Sequence, residues 1–272
     1  MILALLLPAL AAAPRARAQV VLFPRTEPFE FPLASTRGGG IVGRHLWVDR
    51  GESRFGAERE ADVWIGHSAA VVGLGRGETP AFLGLAMQVS GRFSFADRGS
   101  ALISNDWFVA LQAVTDWGGG LTRAAFQVYH ESSHLGDEYA DRFGVNRVDF
   151  TRNVAALWLR QQAGPLALHA SGSYTLIDRP DLPPGAFALG IDYRGEVGNL
   201  LGARVRPLGG IFAESVEYAD WKVTTAARAG VELASGSHGV AVSAVFSNGL
   251  STQRQFFRER SRYFGFELRF DW

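Results

Sequence analysis

The stretch Tyr263–Trp272 alternates without interruption. Phe264, Phe266, Leu268, Phe270 and Trp272 share one parity, and Tyr263, Gly265, Glu267, Arg269 and Asp271 the other. Successive side chains of an extended strand point to opposite faces, so this segment reads as a strand with one apolar and one polar side. The pattern recurs upstream. Across Ala81–Phe95 the apolar positions are Leu83, Leu85, Met87, Val89, Phe93 and Phe95, with Gln88, Ser90, Arg92 and Ser94 between them. Trp221–Leu233 sets Trp221, Val223, Val231 and Leu233 against Lys222, Thr224, Arg228 and Glu232. Phe187–Val197 sets Leu189, Ile191 and Tyr193 against Asp192, Arg194 and Glu196. A β-sandwich alternates as well. These strands, however, run to about 10 to 14 residues, the length a tilted strand needs to cross a bilayer.

Aromatic placement and loop lengths extend the case. Trp107, Trp117, Trp158, Trp221 and Trp272 fall near strand ends, where interfacial girdles sit. Short connections at Arg76–Glu78, Gly118–Gly120, Gly164–Pro165, Gly198–Asn199 and Ser235–Ser237 alternate with longer, polar ones. The longer ones are Asp49–Ala61, Asp97–Asn105, Leu135–Asn146, Asp178–Gly185 and Ser247–Glu259. Short periplasmic turns and long outer loops are the asymmetry of outer-membrane barrels. The fold expected over residues 40–272 is an all-β, antiparallel up-and-down transmembrane β-barrel of about 12 strands. The aromatic residue ending the last strand resembles the terminal signature of bacterial outer-membrane proteins, which implies the cell outer membrane of a Gram-negative bacterium.

Residues 1–18 read as a signal peptide, with an apolar run from Met1 to Ala13 and an Ala16-Arg17-Ala18 cleavage site. That run is too short to span a bilayer as a helix. Residues 19–39, with Pro24, Pro28 and Pro32 every four residues, are expected as a periplasmic N-terminal segment or a partial plug. The net charge of zero offers no footprint for nucleic acid, and the absence of cysteine excludes disulfides and thiolate metal sites.

The chemistry concentrates in Phe126-Gln-Val-Tyr-His-Glu-Ser-Ser-His-Leu-Gly-Asp-Glu-Tyr139. Phe126, Val128, His130 and Ser132 share one parity, so an apolar face runs into a His-x-Ser pair. On a strand rising from Leu121 to Ser133 the pair lies near the outer end and on the lipid side. Side chains two residues apart stand about 6.6 Å apart and parallel, within reach of a Ser–His hydrogen bond. A nucleophilic serine also needs a group that orients its histidine. On the returning strand Val148 and Phe150 read as lipid-phase residues, and Asn146 shares their parity.

A His-x-Ser pair on the lipid face, with Asn or Glu on the following strand, resembles outer-membrane phospholipase A and the lipid A deacylases. The resemblance covers the hairpin Leu121–Phe150 and the general architecture. It implies hydrolysis of acyl esters at the outer leaflet, with Ser132 as nucleophile, His130 as base and Asn146 as orienter. Those families carry Asn directly after the serine, where this chain has Ser133. The run Ser132-Ser-His-Leu-Gly-Asp-Glu-Tyr139 is more similar to an uncharacterised family of bacterial outer-membrane proteins, which implies the location.

Other pairings carry less. His130 and His134 stand about 13 Å apart on a strand, too far for one metal. Asp137, Glu138 and Asp141 are an oxygen-rich set that suits calcium, or solvated acids paired with Arg142 and Arg147. His67-Ser68 puts its two side chains on opposite faces. Arg92, Arg123, Arg228 and Arg269 are expected to pair inside the barrel with Glu196, Glu232 and Glu267. Two function classes remain: a lipid acyl-ester hydrolase, and a non-enzymatic barrel serving as a narrow channel, structural element or interaction protein. The partners expected are outer-membrane lipids, with room for a homodimer.

Overall fold

The structure, a computed structural model, describes residues 20–24, 26, 29–50, 59–74, 81–95 and 100–272. The signal peptide expected at 1–18, the turn expected at 76–78 and residues 51–58 and 96–99 of two expected loops lie outside the described residues. The long strands are β2 (Gly40–Arg50), β3 (Arg59–Leu74), β4 (Ala81–Ser94), β5 (Leu102–Trp117), β6 (Thr122–Leu135), β7 (Phe150–Ala163), β8 (Leu166–Arg179) and β9 (Gly185–Arg194). After them come β11 (Ala203–Val216), β12 (Val223–Ser235), β13 (His238–Leu250) and β14 (Arg260–Asp271). Each pairs antiparallel with the next, and β14 returns to β2 with Phe270 opposite Ile41 and Phe264 opposite Trp47. The result is a closed 12-stranded antiparallel barrel. Two short strands extend it at one end: β1 (Val20–Leu22) beside β3, and β10 (Gly198–Leu200) beside β11.

Closure leaves none of the twelve long strands as an edge with bare N–H and C=O groups, which is the condition for a sheet to sit in hydrocarbon. The alternation then sorts side chains by solvent. Phe264, Phe266, Leu268 and Phe270 are exposed outward, while Tyr263 and Glu267 of the other parity are buried in the lumen. The tight turns at 118–121, 164–165 and 236–237 share one end with the start of β2 and the end of β14. Longer connections at 136–149, 180–184, 217–222 and 251–259 cap the other end. By that asymmetry the capped end faces outward from an outer-membrane barrel.

The lumen is packed with paired charge. Arg92 meets Glu60 at 2.9 Å, Arg123 meets Asp116 at 2.6 Å, and Glu267 takes both Arg44 at 2.7 Å and Arg228 at 2.9 Å. Of the acids expected from sequence, Glu232 pairs with Arg206 at 3.6 Å, and Glu196 lies exposed after β9.

Residues 29–39 lie inside this lumen. The Leu33 amide donates to both carboxylate oxygens of Asp192 at 3.1 Å, and Glu30 pairs with Arg160 at 3.1 Å and Arg194 at 3.4 Å. Higher up, Gln88 accepts from the Gly38 amide and donates to the Thr36 carbonyl, while Arg37 reaches Glu131 at 3.2 Å. The wall makes room for the segment at glycines. A Cβ on Gly190 would stand 3.0 Å from Pro32, and one on Gly210 would stand 3.1 Å from Leu33. Gly210 and Pro207 therefore do not interrupt β11, whose register with β12 is continuous. Trp158, read from sequence as a girdle residue, is instead buried in the lumen, with Phe31 edge-on at 5.3 Å and Phe29 at 6.4 Å. Trp107, Trp117, Trp221 and Trp272 are exposed on the outside.

Replacing residues 29–39 by a Gly/Ser segment of equal length should open the lumen. In planar bilayers the variant is expected to give conductance steps absent from the parent; equal conductance would show that the cap alone seals the barrel.

Candidate functional site

Strand β6 presents two chemically different faces. Its lumenal face carries Gln127, Tyr129, Glu131 and Ser133, all buried. Glu131 is held by three guanidinium groups: Arg37 from the plug at 3.2 Å, Arg152 from β7 at 2.5 Å and Arg254 from the outer cap at 2.9 Å. A carboxylate taken out of water is tolerated only when its lone pairs are met in this way. Two residues further, the Ser133 hydroxyl donates to Asp106, and its carbonyl accepts from Gln255 at 2.8 Å. Gln255 also donates to the Val148 carbonyl at 2.9 Å and accepts from the Val148 amide at 3.0 Å. The cap residues Arg254 and Gln255 thus fasten β6 to the entry of β7.

The opposite face carries His130 and Ser132. His130 is exposed and Ser132 half-buried, on the lipid side of the wall. Their cross-strand neighbours on β7 are Asn153, opposite His130, and Thr151, opposite Ser132. On β5 the neighbours are Val109 and Trp107. The His130 Nδ1 lies 2.9 Å from the Asn153 Oδ1. With that oxygen as acceptor, Nδ1 carries the hydrogen and Nε2 is left as the basic nitrogen. Among the described residues the Ser132 hydroxyl has no hydrogen-bond partner, although it sits next but one to His130 on the same face. Catalytic hydrogen bonds are often long before substrate binds, so this spacing is compatible with a nucleophile and base.

Asn146 is not part of this group. It is exposed in the connection before β7, above the last paired residues Ser133 and Phe150. The expected parity also differs. Phe150 is buried against Leu182 and Phe257 under the cap, which puts Thr151 and Asn153 on the lipid side. Sequence reading therefore missed Asn153. The available signal was Arg152, whose charge belongs inside and assigns its two neighbours to the other face.

The remainder of the Ser132–Tyr139 run builds the cap. Gly136 ends β6, and its amide donates to the Ile103 carbonyl at 2.8 Å. A Cβ there would collide with the Leu102 carbonyl oxygen. The helix α1 (Asp137–Phe143) follows, with Tyr139 fully buried among Ile103, Leu135 and Phe256. Two of the three carboxylates expected to hold calcium are otherwise engaged. Asp137 pairs with Arg147, and Glu138 accepts the Leu102 amide at 3.2 Å. Among the described residues Asp137, Glu138 and Asp141 do not converge, and no group of three or more metal-ligating side chains does. His67 stacks on Trp272 at 6.0 Å.

The family of proteins of unknown function DUF1207 has a model that matches residues 65–272. The chain belongs to that family. No curated protein matches the sequence. Among solved structures, outer membrane phospholipase A from Escherichia coli is similar at 12% identity and a TM-score of 0.59, over 91% of this chain and 94% of that one. An active-site mutant of the same enzyme, with asparagine replaced by alanine, gives 12% identity and 0.56, over 90% of this chain and 95% of that one. The KdgM porin gives 12% identity and 0.45, over 85% of this chain and 98% of that one. The two phospholipase A likenesses establish the outer-membrane barrel fold.

Gly136→Ala should destabilise the barrel by roughly 1–3 kcal/mol, because backbone must move to admit the methyl group. Urea unfolding in micelles, followed by tryptophan fluorescence, checks this; an unchanged midpoint would show that the β6–α1 junction yields freely.

Proposed function

We propose that the chain is a serine hydrolase of lipid acyl esters at the outer leaflet, with Ser132 as nucleophile, His130 as base and Asn153 as the orienting group. The observation that carries this reading is the 2.9 Å contact between His130 Nδ1 and Asn153 Oδ1, on the lipid face and beside Ser132. The asparagine named as an active-site residue in the phospholipase A mutant supports the same assignment. Asn146 is replaced in the role because Asn153, not Asn146, meets the imidazole.

The chemistry follows from that tautomer. Nε2 takes the proton from the Ser132 hydroxyl as its oxygen bonds to the ester carbonyl carbon. The proton passes to the departing alcohol oxygen when the ester C–O bond breaks, leaving an acyl group on Ser132. Water, deprotonated by the same nitrogen, releases the fatty acid and restores the serine. Asn153 holds the ring and stabilises the imidazolium without exchanging a proton. Outer-membrane lipids, the expected partners, are the substrates in this reading.

The second reading is a non-catalytic structural barrel, favoured by a Ser132 hydroxyl without a hydrogen-bond partner among the described residues. Against its channel form stand the plug and the cap, which meet inside the lumen at Glu131.

The deciding measurement is acyl release from mixed micelles by the purified full chain. Ser132→Ala and His130→Ala should lower kcat by roughly 100-fold or more, and Asn153→Ala by at least about tenfold. Asn146→Ala should change it by less than about twofold. Release that survives Ser132→Ala would remove Ser132 from the mechanism, and none on any lipid would favour the structural barrel.

A further inference from the structure

Strand β8 changes phase just where it passes the candidate site. Along its lower part Leu166, Leu168 and Tyr174 are exposed outward while Ala167 and His169 are buried inward, so even positions face lipid. A bulge follows. Val154 lies opposite Thr175 but Asn153 lies opposite Ile177, so Leu176 is the extra residue. Beyond it the odd positions Ile177 and Arg179 face outward, and Asp178 turns inward, where it accepts the Leu182 amide at 3.0 Å. Bulges re-aim side chains in this way and are common beside active sites.

The consequence is a choice of charge. Ser132 lies opposite Thr151, and Thr151 lies opposite Arg179, so the three form one row across adjacent strands. With neighbouring strands about 4.8 Å apart, the Arg179 backbone stands roughly 10 Å from that of Ser132. Without the bulge Asp178 would occupy the outward side of the row, and a carboxylate there would repel an anionic lipid. With it, a guanidinium does. Arg179 is 74% exposed and its one partner among the described residues, Asp149 at 3.3 Å, is 76% exposed, a pairing weak enough to yield. Five N–H donors in a fixed fork leave capacity for phosphate oxygens.

We propose that Arg179 binds the phosphate of an anionic lipid whose ester carbonyl lies over Ser132, making a phosphate-bearing lipid the substrate class. This rests on the hydrolase reading above. Arg179 sets which lipid is held and leaves the chemistry to Ser132 and His130. A glycerophospholipid and a phosphorylated glycolipid share the required group.

The test uses the full chain with three probes in the same detergent: phosphatidylglycerol, a phosphorylated acylated diglucosamine, and neutral diacylglycerol. The parent is expected to prefer at least one phosphate-bearing lipid over diacylglycerol in kcat/KM by roughly tenfold or more, the scale of a charge-assisted hydrogen bond. Arg179→Ala should erase the preference through KM with kcat kept, and Arg179→Lys should restore part of it. Binding is read separately, by native mass spectrometry on Ser132→Ala with and without Arg179→Ala. Loss of phosphate-lipid binding alone supports the inference. Equal losses on charged and neutral lipids, or none, overturn it. A parent that hydrolyses nothing overturns the hydrolase reading, while the binding arm still judges Arg179. Comparing the two phosphate-bearing lipids identifies the source of the phosphate.

Discussion

The ladder between β14 and β2 is the contact on which everything else rests. Nine residue pairs join the two strands, from Arg262 opposite Arg50 to Phe270 opposite Ile41. If it opened, two strand edges would bare their amides and carbonyls to hydrocarbon, at several kcal/mol for each unsatisfied group. Once it is closed, every side chain has an assigned solvent. Odd and even residues are sent to lipid or to lumen, and a polar residue on the lipid side becomes conspicuous. His130, Ser132 and Asn153 are conspicuous in this sense.

Closure also creates a volume that must be filled. Buried arginines and carboxylates fill part of it in pairs, and the N-terminal segment fills more. Around Glu131 these demands meet, since plug, β7 and outer cap each send it an arginine. Glu131 is flanked in sequence by His130 and Ser132, so the network that stiffens the lumen also fixes the strand bearing the candidate pair. A buried carboxylate losing one of these partners would be left partly uncompensated, and the cost would fall on this part of the wall.

Much of the barrel was legible because period-two alternation has one physical meaning when both faces differ in polarity. β4 and β14 are of that kind, and their phase read from sequence is the phase in the structure. β7 is not. Ala155, Leu157 and Leu159 face outward, while Val154, Ala156 and Trp158 on the other parity are equally apolar. Their inward side is apolar because Phe29 and Phe31 of the plug pack on it, a contact more than 120 residues distant in sequence. Parity there was ambiguous, so the asparagine assigned to the site was Asn146, while the structure brings Asn153 to His130.

Local alternation and spacing already specify the barrel, its approximate strand number and the lipid-side position of His130 and Ser132. They need no knowledge of distant contacts. Only the tertiary structure decided that residues 29–39 enter the lumen, that Asn153 meets His130, and that a bulge exchanges Asp178 for Arg179 on the outer face. Those outcomes depend on which residues lie opposite one another across strands. A one-residue shift in register moves every side chain to the other solvent.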